Sequence, residues 1–342
     1  MTIAVCFQLG TMTTTRVIMS YKWNNGSTEK QDTVSLKEEV ARVANQELRE
    51  NKNAREQALE QFREWIDKNS DICNCRTDDA FLLRFLRVKK FSLPMAQQML
   101  LKYINLRQTF SHLTYNLDYL SPAANELITN GYIYASPFRD SKGRRVILYN
   151  LKKLDPHKYN NADMTRAHFI TYEVLMEDED SQVLGFTHVG DICEASAAHA
   201  TLWSPTEFTT LVRWGEQSVP MRHKEVHLIN VPAALRYLYD LISSILSEKM
   251  RNRLRLYESL ESLQNKVDPE VLPKELGGKM PMAEMIELWK KELAAKRETL
   301  LKLDDMKLLS TKSIISRKNN QIDNSSLMVN SLQGSFRKLE VD

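Results

Sequence analysis

The chain has 342 residues, 42% hydrophobic and 27% charged, a balance that allows a sizeable core and excludes a largely disordered polypeptide. Its formal net charge of +3 is small, so an anionic partner must be met by a local patch, and generic nucleic-acid binding is not expected. Cys6, Cys73, Cys75 and Cys193 are too few and scattered for a disulfide framework and fit a reducing compartment. No histidine stands near the Cys73 and Cys75 pair to complete a metal site.

The opening MTIAVCFQLG lacks a basic n-region and a clear A-x-A-like cleavage site. Residues 1–32 therefore read as a flexible extension rather than a signal peptide. No stretch approaches the ~18 uninterrupted apolar residues of a membrane span, so any membrane contact is peripheral. Ser35 followed by Glu38 has the capping-box pattern and predicts an amphipathic helical region to about Asn69. Leu36, Val40, Val43 and Ala44 line one face, and Leu59, Phe62, Trp65 and Ile66 a later one; Asn51 to Asn53 mark a break between them. Thr77 or Asp78 caps a short helix with Phe81, Leu82, Phe85 and Leu86 at helical spacing. Ser92 and Pro94 open the next, with Ala96, Met99, Leu100, Tyr103 and Leu106 inward. Residues 33–115 thus form an all-helical annex.

A second domain is assigned to residues 116–280. Short apolar runs at 146–149, 183–189 and 226–229 read as strands, between helical segments at 163–178, 205–217 and 232–250. Strands alternating with helices of this length predict an α/β fold with a mainly parallel sheet. Asp140, Lys142 and Gly143 signal a turn between two strands. Beyond Gly278, Met285, Ile286, Trp289 and Leu293 stripe a C-terminal helix over 281–308, and the polar stretch 309–342 is expected to be disordered.

Four stretches in order resemble the CRAL-TRIO family, the group of alpha-tocopherol transfer protein, cellular retinaldehyde-binding protein and the yeast phosphatidylinositol transfer proteins. They are DDAFLLRFLRVKKF (78–91), FRDSKGRRVILYN (138–150), VHLINVP (226–232) leading into SEKMRNRL (247–254), and DPEVLPKELGG (268–278). Together they span roughly residues 50 to 300, and the 221–256 block is most similar to the tocopherol and retinaldehyde carriers. One departure is GDICEAS, where Asp191 matches the Asp-x-x-Gly of relatives but Glu194 stands beside the usual glycine, putting the local turn in question.

The resemblance implies a helical annex followed by a sheet whose covering helices enclose a cavity, closed by a mobile helical gate. The segment 232–249 repeats Leu235, Leu238, Ile242, Ile245 and Leu246 at three and four, which suits a gate, although periodicity alone equally describes an ordinary amphipathic helix. Pocket positions carried across are Thr165, His168 and Tyr172 on one helical face, Leu211, Trp214 and Val219 on the next helix, and Val226 on a strand. Such a set implies one hydrophobic guest with a hydroxyl, aldehyde or similar head group. A lone histidine such as His168 is, by itself, more often structural. The resemblance further implies a phosphoinositide cleft at Arg222, Lys249 and Arg253, with Arg84 or Arg87 joining from the annex. Lys249 and Arg253 share a face if the helix continues that far.

The implied function is a soluble, cytoplasmic lipid carrier without cofactor that exchanges cargo at endosomal or other intracellular membranes. The alternative is a phosphoinositide-binding adaptor without a transfer role. Catalysis is not expected, since G-x-G-x-x-G, P-loop, G-x-S-x-G and H-E-x-x-H motifs are missing. His223 and His227, four apart on a strand, are placed on one side but about 13 Å apart, too far for one metal.

Overall fold

The annex begins earlier than its capping pattern suggests. In the computed structural model, which describes residues 29–233 and 236–315, helix α1 runs Glu29–Leu48, so Ser35 lies inside the helix rather than at its start. Its Leu36, Val43, Ala44 and Leu48 are buried against Val183 and Leu184 of the second domain. Asn51 ends the break by capping α2 (Lys52–Lys68), accepting from the Ala54 amide at 2.9 Å. A short strand β1 (Ile72–Cys73) follows, and Asp78 rather than Thr77 caps α3 (Asp79–Val88) through the Phe81 amide at 3.0 Å. Helix α4 (Leu93–Thr109), opened by Pro94, buries the expected Ala96, Met99, Leu100, Tyr103 and Leu106. Phe81, Phe85 and Tyr103 meet edge to face between the two helices. The short α5 (Ser111–Thr114) closes the annex.

Helix α6 (Pro122–Asn130) leads into a hairpin of β2 (Ile133–Arg139) and β3 (Arg145–Asn150), turned where Gly143 takes φ +73°. Three crossovers then build the sheet. They are α7 (Asn161–Leu175) with α8 (Glu179–Leu184) before β4 (Phe186–Asp191), α9 (Ala197–Ala200) with α10 (Pro205–Ser218) before β5 (His223–Ile229), and α11 (Arg236–Ile245) with α12 (Glu248–Arg251) before β6 (Leu254–Tyr257). The five strands lie in the order β2-β3-β4-β5-β6, antiparallel only between β2 and β3. Parallel pairs need such crossovers, which is why the alternating pattern was legible.

Three expectations are corrected. The 183–189 run is not one strand: Val183 and Leu184 finish α8, and β4 starts at Phe186. Gly185 turns the chain with φ +91°, and a Cβ there would stand 2.6 Å from the Arg222 carbonyl oxygen. A short apolar run cannot by itself separate the end of a helix from the start of a strand. The 232–250 helix is also two pieces, because Ser247 caps α12 through the Met250 amide at 3.3 Å. Arg253 falls beyond α12, so it shares no helical face with Lys249. The chain after 309 is not uniformly loose: up to Ile315 it is held on the annex, the Leu309 amide donating to the Asp71 carbonyl at 2.8 Å and the Ile315 amide to Gln98 at 2.8 Å. Residues 1–28 and 316–342, for which extension and tail were expected, lie outside the described residues.

After α13 (Leu260–Gln264), the expected C-terminal helix is α14 (Met282–Leu301), with Met285, Ile286, Trp289 and Leu293 buried. Strand β7 (Lys307–Leu308) then pairs with β1, so the end of this segment clasps the annex. The departure at GDICEAS does not abolish the turn. Asp191 accepts from the Cys193 amide and from Asn230, each at 3.0 Å, and Glu194 takes φ +62°, the left-handed region a glycine enters freely.

Candidate functional site

Parallel pairing sets Ile147, His188 and Val226 side by side on one face of the sheet, with Tyr149, Gly190 and Leu228 two residues along. β4 is buried there, yet Val226 and Leu228 of the inner strand β5 stay partly accessible. Tyr149, His168, Tyr172 and His223 are likewise deep in the domain and only partly covered. Apolar side chains on an inner strand normally meet a packed layer, and the layer over these two is incomplete. Gly190 shapes its floor: a Cβ there would stand 2.2 Å from the Tyr149 ring, which lies over the glycine.

Helix α7, started by a capping box between Asn160 and Asp163, hangs a polar ladder over this floor. His168 Nε2 is 2.9 Å from the Tyr132 hydroxyl, and its Nδ1 is 3.2 Å from the Tyr172 hydroxyl. The Tyr172 ring stands edge-on to both His188 and His223, 6.0 Å from each centroid. Those two imidazoles meet at 2.8 Å, His188 Nε2 to His223 Nδ1. Burial holds His168 at about 4, and burial with the Arg253 charge holds His223 at about 4. His188 is pushed well below the ordinary range by burial and by the neighbouring imidazoles. All three are neutral at pH 7. Burial raises the Tyr132, Tyr149 and Tyr172 phenols, which stay protonated.

His223 and His227 are not on one side of the strand. A register shift at the start of β5 pairs His223 with Phe186 but His227 with Val189, so the two fall on opposite faces. His227 instead lies 2.9 Å from the Tyr257 hydroxyl and 3.1 Å from Glu225.

Of the expected contacts, His168 and Tyr172 belong to the ladder and Val226 to the floor. Thr165 is buried on the same helix but donates its hydroxyl to the Asn161 carbonyl at 2.7 Å. Leu211 and Trp214 are half-buried on α10, the Trp214 ring edge-on to Phe110 at 5.7 Å, and Val219 is buried at the helix end. Helix α11 packs on α10 with Ile242, Ile245 and Leu246 half-buried, while the side chains of Leu235 and Leu238 lie outside the described residues. Sequence reasoning missed Tyr132, Tyr149, His188 and His223. His188 and His223 are 35 residues apart on different strands, so nothing local announces the pair.

Arg84 and Arg87 must be removed from the basic surface. Arg84 is fully buried, 2.7 Å from Glu173 and 2.6 Å from Glu177. Arg87 is buried against Glu50 at 2.7 Å and Gln182 at 2.9 Å. An apolar site tolerates a guanidinium only when carboxylates meet it, and these do, so both arginines weld annex to domain instead of facing solvent. The remaining cations do converge. Burial holds Lys249 below its usual value, and the charges of Arg253, Arg222 and Lys90 add to that. Burial lowers Arg222 too, against the pull of Glu47 at 2.8 Å, with Arg253 and Arg144 reinforcing it. Arg253 is held down by burial and by Arg144, and it also borders a recess of about 580 Å³ lined with Lys142, Lys224, Arg255 and Lys266. Glu47 answers Arg222 and Lys224, and Glu225 in the same recess answers Lys142 and Arg144, while the mutual repulsion of Lys249 and Arg253 favours an anion between those two.

Residues 129–278 match the model of the CRAL/TRIO domain, and residues 51–124 that of the Pinta-like UBA domain. Clavesin-1 of Xenopus laevis is 33% identical over 240 residues, covering 70% of this chain and 72% of that protein. The chain belongs to the CRAL-TRIO family. Clavesin-2 of Homo sapiens is 30% identical over 251 residues, 73% of this chain and 77% of that protein. The crystal structure of Sfh5 aligns with a TM-score of 0.48 and 14% identity over 74% of this chain and 99% of that one. Membership in this family of lipid-binding and lipid-transfer proteins gives the floor and the ladder above it a context in lipid chemistry. No helix among the described residues is long and apolar enough to cross a membrane.

Proposed function

We propose that this protein is a soluble, non-enzymatic carrier of the tocopherol- and retinaldehyde-carrier type, which encloses one hydrophobic small molecule and trades it at phosphoinositide-bearing intracellular membranes, endosomal ones among them. The observation that carries the reading is the incompletely covered apolar floor: Val226 and Leu228 sit on an inner strand, paired on both sides, and yet stay partly accessible. Leu211, Trp214 and Val219 line the adjoining helix, and α11 is the segment that opens. Affinity for the guest comes from burying its apolar surface, at roughly 25 cal/mol per Å².

The phosphoinositide role falls to Arg222, Lys249 and Arg253, without Arg84 and Arg87. Ser247 ties the gate to α10, its hydroxyl donating to Glu216 at 3.1 Å, and Lys249 follows two residues later. An anion drawn to Lys249 and Arg253 therefore lands beside the junction of α11 and α12, where a shift releases the cover.

Native mass spectrometry of the purified protein should find one small apolar guest per chain. Exchanging Lys249→Ala with Arg253→Ala should slow transfer to phosphoinositide-containing vesicles about tenfold or more, since each such charge contributes ~1 kcal/mol, with guest binding unchanged. Equal transfer by the double variant rejects the cleft. No recoverable guest, with specific phosphoinositide binding retained, would favour an adaptor without a transfer role.

A further inference from the structure

The His–Tyr ladder contains more hydrogen-bonding capacity than its own contacts use. A neutral imidazole has one N–H and one bare nitrogen. In the His188–His223 contact one ring donates and the other accepts. The donating ring keeps a bare nitrogen and the accepting ring keeps an N–H, so His188 Nδ1 and His223 Nε2 together offer one acceptor and one donor. Among the described residues no group bonds either nitrogen, and none bonds the Tyr149 hydroxyl. Around His168 the count is similar: two phenols and one N–H supply three protons to two bonds, leaving one phenolic O–H undonated.

Charge decides what can meet these groups. Ile147, Tyr149, His188, Val226 and Leu228 on the sheet, with His168 and Tyr172 on α7, include no ionised side chain. Arg253 is close enough for its charge to act on His223, but its guanidinium is engaged with the His223 carbonyl rather than with a lining side chain. A carboxylate or phosphate brought here would be a buried ion whose one nearby cation is already engaged with a carbonyl, and it could accept from the N–H but give nothing to the bare nitrogen. A hydroxyl donates and accepts, which is what the imidazole pair leaves open.

We infer that the His188–His223 pair, backed by Tyr149, Tyr172 and His168, is the head-group site of the cavity, and that its cargo is an uncharged lipid alcohol rather than a fatty acid or phospholipid. This rests on the carrier reading and narrows it to a ligand chemistry. Leucine or valine in place of the imidazoles would leave a purely apolar cavity that tells an alcohol from a hydrocarbon poorly.

The test loads delipidated full-length protein with hexadecanol, hexadecanoate or hexadecane at pH 8.5, and counts bound guest by native mass spectrometry. The native protein should take hexadecanol at least about tenfold more tightly than hexadecanoate and about tenfold more tightly than hexadecane, the latter corresponding to a buried hydrogen bond of ~1.5 kcal/mol. His188→Leu combined with His223→Val should erase the margin of hexadecanol over hexadecane while hexadecane binding persists, which also shows that the variant is folded. Tyr172→Phe should reduce that margin partially. Hexadecanoate bound as tightly as hexadecanol, or a margin over hexadecane kept by the double variant, would overturn the head-group assignment and leave the carrier standing. Uptake of none of the three overturns the carrier reading, and this inference falls with it.

Discussion

Two sets of polar side chains are buried in this protein, and they are finished differently. At the seam between annex and domain, Arg84 meets Glu173 and Glu177, the Tyr103 hydroxyl donates to Glu173 at 2.8 Å, and Arg87 meets Glu50 and Gln182. Every charge there has an opposite charge against it. Over the sheet floor, His168, His188 and His223 are uncharged, and His188 and His223 keep ring nitrogens that no described residue meets. The contrast teaches how to tell architecture from recognition when both are buried. At the seam every charge is answered by an opposite one, although the Arg84 Nε itself has no partner, so the cluster has no net charge left to offer a ligand, whereas neutral groups with spare donors and acceptors can receive one.

The seam is where that distinction breaks most visibly. Replacing Glu173 by Ala leaves the buried Arg84 with Glu177 alone and takes the acceptor from the Tyr103 hydroxyl, and denaturant unfolding should show a loss of about 3 kcal/mol. A loss below about 1 kcal/mol would mean that the arginine is not held as tightly as the 2.7 Å contact indicates. Tyr103→Phe keeps the ring contacts with Phe81 and Phe85 and deletes one hydrogen bond to a charged acceptor, which should cost ~1.5–3 kcal/mol in the same measurement.

Acid sharpens the comparison further. The imidazoles of His168 and His223 titrate near 4 in the fold, below the ~6.5 of an exposed histidine. The unfolded chain therefore takes up protons first. Their contribution to stability is complete above about pH 6.5 and is lost as pH falls from there towards 4, by at most ~1.4 kcal/mol per pH unit for each ring. The seam carboxylate Glu177, whose own value is lowered by Arg84 and Arg76 against the cost of burial, gives way only below the usual carboxylate range. Unfolding free energies measured from pH 7 to 4.5 should fall less steeply in His188→Leu with His223→Val than in the native chain. An unchanged slope would mean that the imidazoles are not buried in neutral form.

Much of the architecture was readable beforehand because it rests on local rules. Asp78, Asn51 and Pro94 mark helix starts through backbone groups within a few residues, and the alternation of strand and helix dictates parallel pairing. The errors came where local rules tie. Val183 and Leu184 suit a strand as well as the last turn of α8, and Ser247 interrupts what periodicity reads as one helix. Arg84 and Arg87 look like surface cations in sequence, because the carboxylates that bury them lie far along the chain, at Glu173 and Glu177 and at Glu50.

The residues themselves determined the helical annex, the mostly parallel sheet and the apolar stripe of each helix, since periodicity, capping and turn chemistry act over a handful of residues. They also determined that His168 and Tyr172 would share a helical face. Tertiary structure alone decided which cations are consumed at the seam and which gather near Lys249. It also decided that a register shift in β5 turns His223 towards His188 while His227 faces the other way. The physical reason is that charge pairing and hydrogen-bond saturation depend on distance through space, and no spacing along the chain encodes a contact between residues 35 or 89 positions apart.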